Sequence, residues 1–195
     1  MAETASTMLT LGTKAPDFSL ADVVTGDAVT LASFAGKKAL LVMFVCRHCP
    51  YVRHVVPELT RLGRDYAAKD VGIVAISAND AAAYPDDAPA GLKQMAVEAG
   101  LSFPLCHDES QATARDYRAA CTPDFFLFDG QRKLVYRGQL DASRPGNGQP
   151  VDGRDLRGAM DAVLAGRPVD PTQRPSLGCN IKWKPGNEPD YARAH

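Results

Sequence analysis

Cys46 and Cys49 stand two residues apart in LLVMFVCRHCPYVRHVVPEL (40–59), behind an apolar run and ahead of Pro50. Two thiols at this spacing can close a small disulfide ring, hold half of a tetrahedral metal site, or serve as a structural staple. The position favours the first. An apolar run followed by proline reads as a buried strand entering a helix, because proline's missing N–H would be unpaired in the first turn anyway. Unpaired amides and the positive end of the helix dipole collect at such a junction, and both stabilise a thiolate. Arg47 and His48 add positive charge beside the pair. Cys46 is therefore expected to be the exposed attacking thiol, with its pKa below that of an ordinary cysteine, and Cys49 the resolving thiol behind it.

The metal reading needs two more ligands. Cys106-His107 could supply them, but adjacent ligands lack the usual spacing. Haem attachment is excluded by pattern, since Pro50 stands where C-x-x-C-H requires histidine. No glycine-rich phosphate loop follows a strand, so a nucleotide cofactor is not implied, and none of another kind is expected. The acids of NEPD (187–190) and DDAPA (86–90) read as surface clusters.

The elements around the pair follow from periodicity. Residues 17–31 read as two short strands around Gly26-Asp27. The continuous apolar run 37–45 reads as a strand covered on both faces. Val55, Val56, Leu59, Leu62 and Tyr66 recur at helical spacing, with Pro57 expected to kink the helix. Residues 70–77 form a second buried strand. A helix follows over 90–99, closed by Gly100, and then a brief strand at 103–105. Ser110 is expected to cap a helix over 111–120. Residues 124–140 read as a hairpin, and Leu156, Met160, Val163 and Leu164 mark a helix ended by Gly166. Five prolines from Pro168 to Pro189 suggest an extended tail wrapped on the surface.

The 195 residues carry 22 basic and 23 acidic side chains, which excludes the basic footprint of a nucleic-acid binder. No apolar run approaches bilayer-spanning length, so no membrane partner is expected. The N-terminal residues lack a charged-then-apolar leader pattern, so the expected setting is the cytosol. Thiols are kept reduced there, and five cysteines are then not a disulfide framework.

The chain resembles the thioredoxin superfamily, and within it the alkyl hydroperoxide reductase and thiol-specific antioxidant (AhpC/TSA, peroxiredoxin-like) branch. LGTKAPDFSLADVVTGDAVTLASFAGKKALLVMF is similar to that group's N-terminal pattern, CTPDFFLFDG (121–130) to its second signature, and PSLGCNIKWKPGNEP (175–189) to the tail of a subgroup. The resemblance runs from Leu11 to Pro189. It implies a thioredoxin-like α/β fold, a central mixed sheet flanked by helices, with an N-terminal hairpin and a C-terminal helix plus tail. Residues 1–166 would form the domain and 167–195 a tail packed on it.

For the reaction, the resemblance implies thiol–disulfide exchange on protein or small disulfides, with a reducing dithiol system as second partner. Peroxidase members carry T-x-x-C and a distant arginine. Here Cys46 stands at the threonine position and Pro123 at the arginine position, so peroxidase chemistry is the alternative and a metal-binding module a third. Thioredoxin's buried acid before the cysteines has no counterpart in 37–45, and Val45 replaces its tryptophan. By the same resemblance, Thr122-Pro123 is expected to be cis and packed near Cys46. Thr122 would then turn its backbone groups outward to pair with an extended substrate. Cys121 and Cys179 are each either a further active thiol or a packing residue. Cys106 and His107 are expected to end a strand, His54 to be solvated, and His195 carries no argument.

Overall fold

The computed structural model describes residues 3–192; His195 lies outside them. The strand expected at 37–45 is β4, Ala39–Phe44, with every residue buried. Its alternate side chains feed two cores. Leu41 and Met43 pack with the helices Pro50–Tyr66 (α1), Pro89–Ala99 (α2) and Arg154–Leu164 (α4). Leu40, Val42 and Phe44 face the opposite layer, with Phe18, Val29, Phe34 and Tyr117. A strand covered on both faces has no polar side to show, which is why its sequence does not alternate.

Four strands complete the sheet around β4: β5 (Val71–Ser77), β6 (Leu105–His107), β8 (Asp124–Asp129) and β9 (Leu134–Gly138), in the order β6-β5-β4-β8-β9. β4, β5 and β6 run parallel, whereas β8 is antiparallel to both β4 and β9. The N-terminal hairpin is β2 (Ser19–Ala21) against β3 (Ala28–Thr30). The mixed sheet with helices is the expected fold class.

Three local expectations are corrected. β6 begins at Leu105, two residues late, because Pro104 has no N–H for the ladder and offers only its carbonyl, to Ala75. The helix expected over 111–120 shrinks to α3, Ala112–Asp116. Ser110 is not its cap, since Gln111 takes that place in a left-handed conformation, and Asp108 accepts from the Ala114 amide instead. The chain then turns so that Tyr117 can enter a cluster of Phe18, Phe44, Phe126 and Phe128, and the packing of that large ring overrides helix continuation.

The proline-rich tail is not confined to the surface. Leu177–Asn180 form β10, the middle strand of a second sheet between β1 (Glu3–Ala5) and β7 (Cys121–Thr122). Both pairings are antiparallel, with Cys179 opposite Glu3 on one side and Thr122 on the other. Gly178 makes this approach possible, since a Cβ there would lie 2.0 Å from the Thr122 carbonyl oxygen. Gly178→Ala is therefore expected to destabilise the protein by about 2 kcal/mol through forced backbone displacement. Denaturant unfolding measures this; an unchanged midpoint would mean that β10 is not seated as described.

Candidate active site

The β4–α1 junction delivers both cysteines. Cys49 is the N-cap residue of α1 and Pro50 opens its first turn. Cys46 and Cys49 are both 0% exposed, so the expected exposed attacker is instead under cover. The cover is the Thr122-Pro123 loop and β10. The Thr122-Pro123 bond is cis, as expected, and Thr122 Oγ1 lies 3.3 Å from Cys46 Sγ. Cys49 Sγ lies 3.2 Å from the Thr122 carbonyl oxygen and 2.8 Å from Cys179 Sγ. Thr122 does not offer its backbone to solvent, because β10 already pairs with it.

The proton arrangement also differs from the sequence expectation. Cys49 is the thiol pushed down: the hydrogen bond from Cys46 contributes most, and the Cys179 thiol and Val52 amide add to it against the cost of burial. The amide acts without closing a capping hydrogen bond of normal geometry. Cys46 is pushed up, by its hydrogen bond to Cys49, by burial and by the Asp87 carboxylate. Of the two, Cys49, at the helix N-terminus, is the thiol favoured to ionise, and Cys46 is the one favoured to keep its proton.

Arg47 through its amide, and His48 through both its amide and its ring, are held by Asp87. Asp87 Oδ1 accepts the Arg47 and His48 amides at 2.7 and 3.3 Å. Oδ2 contacts His48 Nδ1 at 2.5 Å and accepts from Asn79 at 2.8 Å. Tyr84 stacks on the imidazole, and the Arg47 guanidinium bonds Gln94 at the surface. Asp87, in the DDAPA segment read as a surface cluster, is 0% exposed. It holds the C-R-H-C turn in place.

Cys46, His48 and Asp87 offer three ligand atoms within 4.8 Å of one another, a different set from the Cys106-His107 completion considered above. The fit to a cation is poor. Both Asp87 oxygens already accept two hydrogen bonds each, and a metal would have to displace them.

Of the remaining groups, Cys121 is buried in β7, and burial pushes its thiol well up. Cys106 and His107 end β6. His54 is not fully solvated, since Nε2 contacts Ser143 Oγ at 2.5 Å. Asp124 was not anticipated. It opens β8 opposite Phe44, fully buried, and so places an acid one strand away from where thioredoxin's would be. One of its oxygens accepts from the Ala120 amide, and the other has no partner among the described residues.

Burial pushes the Asp124 carboxyl up to about 8. Between about pH 4 and 8 the unfolded chain has lost this proton while the fold keeps it, so stability falls as pH rises through that window. Asp124→Asn does not titrate and is expected to gain in Tm on the parent across the window. Parallel Tm-against-pH curves for the two proteins would overturn the assignment.

The Redoxin family profile matches residues 10–152, most of the chain. The chain belongs to the Redoxin family. Among solved structures, this redoxin is 52% identical to an uncharacterized conserved protein from Geobacillus kaustophilus, with TM-score 0.94, covering 95% of this chain and 98% of that one. It is 49% identical to a hypothetical protein from Sinorhizobium meliloti 1021, with TM-score 0.92 and 94% and 100% coverage. A curated relative, thiol-disulfide oxidoreductase ResA of Bacillus anthracis, is 28% identical over 125 residues, 64% of this redoxin and 67% of ResA. A putative thiol:disulfide interchange protein DsbE from Chlorobium tepidum shares the fold at TM-score 0.63 and 22% identity.

Proposed function

We propose that this redoxin is a thiol–disulfide oxidoreductase whose reacting pair is Cys46 and Cys49. The observation that carries the reading is the placement of two thiols at a helix N-terminus, both within hydrogen-bond distance of Thr122 in the Thr122-Pro123 loop. In the reductive direction the Cys49 thiolate attacks one sulfur of a substrate disulfide and expels the other as a thiolate. Cys46 then attacks the mixed disulfide at Cys49 and releases the second substrate thiol. The substrate gains two electrons and the one proton that Cys46 held, its other thiolate is protonated from water, and the chain is left with a Cys46–Cys49 disulfide. A second dithiol system, as expected in the cytosol, returns it to the reduced form. Substrates are disulfide-containing proteins or small disulfides.

Thr122 and Pro123 position the pair, and Arg47 and His48 act through Asp87 to shape the turn. Covered thiols imply that substrate entry requires the β10 side to give way. The thiolate on Cys49, aligned with the C-P of the peroxidase pattern, favours peroxide reduction as the second reading. Against it stand the replaced threonine and arginine positions. Stopped-flow mixing of reduced protein with oxidised glutathione or with hydrogen peroxide separates the two. Disulfide turnover with formation of Cys46–Cys49 supports exchange. Rapid peroxide consumption that survives Cys46→Ser would replace it with the peroxidase reading.

A further inference from the structure

We propose that Cys179 is a third redox thiol of this site, and that the Cys46–Cys49 disulfide exchanges internally to Cys49–Cys179, with strand β10 occupying the place of an extended substrate. The inference rests on the pair assigned above and goes beyond it. Three observations on different parts of the chain support it.

The first is contact. Cys179 Sγ lies 2.8 Å from Cys49 Sγ, and Cys46 stands at the same strand-to-helix turn two residues apart from Cys49, so Cys49 is within reach of both. The second is register. Cys179 is opposite Thr122 in an antiparallel ladder, the pairing that a bound peptide would make with this loop. A substrate cysteine held there would meet the same sulfur. The third is fixation. β10 is paired on both edges, Gly178 lies against the Thr122 carbonyl, and Ser176 Oγ donates to the Pro123 carbonyl at 2.6 Å. Cys179 is thus placed by the sheet and not by chance at a loose end. Cys121, by contrast, turns its sulfur toward the Pro123 and Ser176 carbonyls.

The exchange needs no outside oxidant. A bond forms between Cys179 Sγ and Cys49 Sγ as the Cys46–Cys49 bond breaks. Cys46 leaves as a thiolate and takes up the proton that Cys179 gives up. In the reduced protein, burial first and then the neighbouring Cys49 thiolate hold the Cys179 proton in place. Once Cys49 is in a disulfide that negative charge is gone, and attack becomes easier. The product frees Cys46 and ties β10 covalently to the start of α1.

The test uses the full chain and 5,5′-dithiobis(2-nitrobenzoate). In Cys46→Ser, the mixed disulfide at Cys49 should be resolved by Cys179, releasing a second thionitrobenzoate about a hundredfold faster than in Cys46→Ser/Cys179→Ser, as expected for an intramolecular thiol. Wild type should release both equivalents in either case. If wild type does so while Cys46→Ser retains its mixed disulfide, the exchange is refuted and the pair stands. If wild type also retains the mixed disulfide, the pair itself is refuted.

Should Cys46→Ser fail to fold, wild type equilibrated with oxidised dithiothreitol gives the answer. Trypsin cuts after Arg47 and so separates the Cys46 and Cys49 peptides. A Cys49–Cys179 bridged peptide beside Cys46–Cys49 supports the exchange, and Cys46–Cys49 alone refutes it.

Discussion

Cys49→Ser is expected to lower kcat/KM for disulfide reduction at least a thousandfold, about 4 kcal/mol of transition-state stabilisation. The reason is position in the sulfur chain. Cys49 is the thiol favoured to ionise, and it lies 2.8 Å from the Cys179 sulfur and shares a turn with Cys46. Removing it forbids the Cys46–Cys49 bond and the Cys49–Cys179 bond alike. Loss of Cys46 or of Cys179 alone leaves one bond still able to form, so each single change is expected to cost less. Serine is close in size and can hydrogen-bond the Thr122 carbonyl that lies 3.2 Å from Cys49 Sγ, so the fold should survive and the loss can be read as chemistry. Steady-state reduction of a small disulfide by the three single variants checks the ranking. If Cys46→Ser proves as damaging as Cys49→Ser and Cys49→Ser retains a measurable rate, the central role of Cys49 is wrong.

The second large effect is expected at Asp87. Asp87→Ala removes the acceptor for two amides, the Asn79 side chain and the His48 ring in a place that water does not reach. Leaving several donors at a buried place without their acceptor costs about 3–5 kcal/mol. For a chain of this length that corresponds to a fall in Tm of roughly 10 °C. A chemical change should accompany it. Asp87 is one of the groups that push the Cys46 thiol up, so the variant's Cys46 should ionise at lower pH than the parent's. Alkylation rate against pH in a Cys49→Ser background reads this directly. A drop in Tm with an unmoved Cys46 profile would make Asp87 structural only.

What the sequence revealed and what it hid have a common physical cause. β4 was legible because the seven apolar residues in a row from Ala39 to Val45 read as a segment covered on both sides. The α1 start was legible because Pro50 and helical spacing agree, and both point at the cysteines. Asp87 was hidden because its neighbours, Asp86, Ala88 and Pro89, are those of an exposed turn. Its burial comes from the C-R-H-C turn folding over it, a contact 40 residues away in sequence. β10 was hidden for a related reason. LGCN is too short to show a period, and its prolines lie outside it, at 175 and 185. Only the distant edges of β1 and β7 make it a strand. These two omissions also hid the smaller influences on the pair, since Asp87 pushes the Cys46 thiol up and Cys179 pushes the Cys49 thiol down.

The second sheet joins the first residues of the described chain to some of the last, with Glu3 opposite Cys179 and Ala5 opposite Leu177. On a ribosome, β1 and β7 are complete long before β10 emerges, and about fifty residues separate β7 from it. During that interval the edge of Thr122 has no strand beside it, and Cys49 has no third sulfur. The nascent chain therefore carries an uncovered dithiol on an otherwise foldable body, open to any disulfide it meets. Synthesis of β10 closes that window, so the order in which the strands are made becomes part of how this protein keeps its reactive sulfurs to itself.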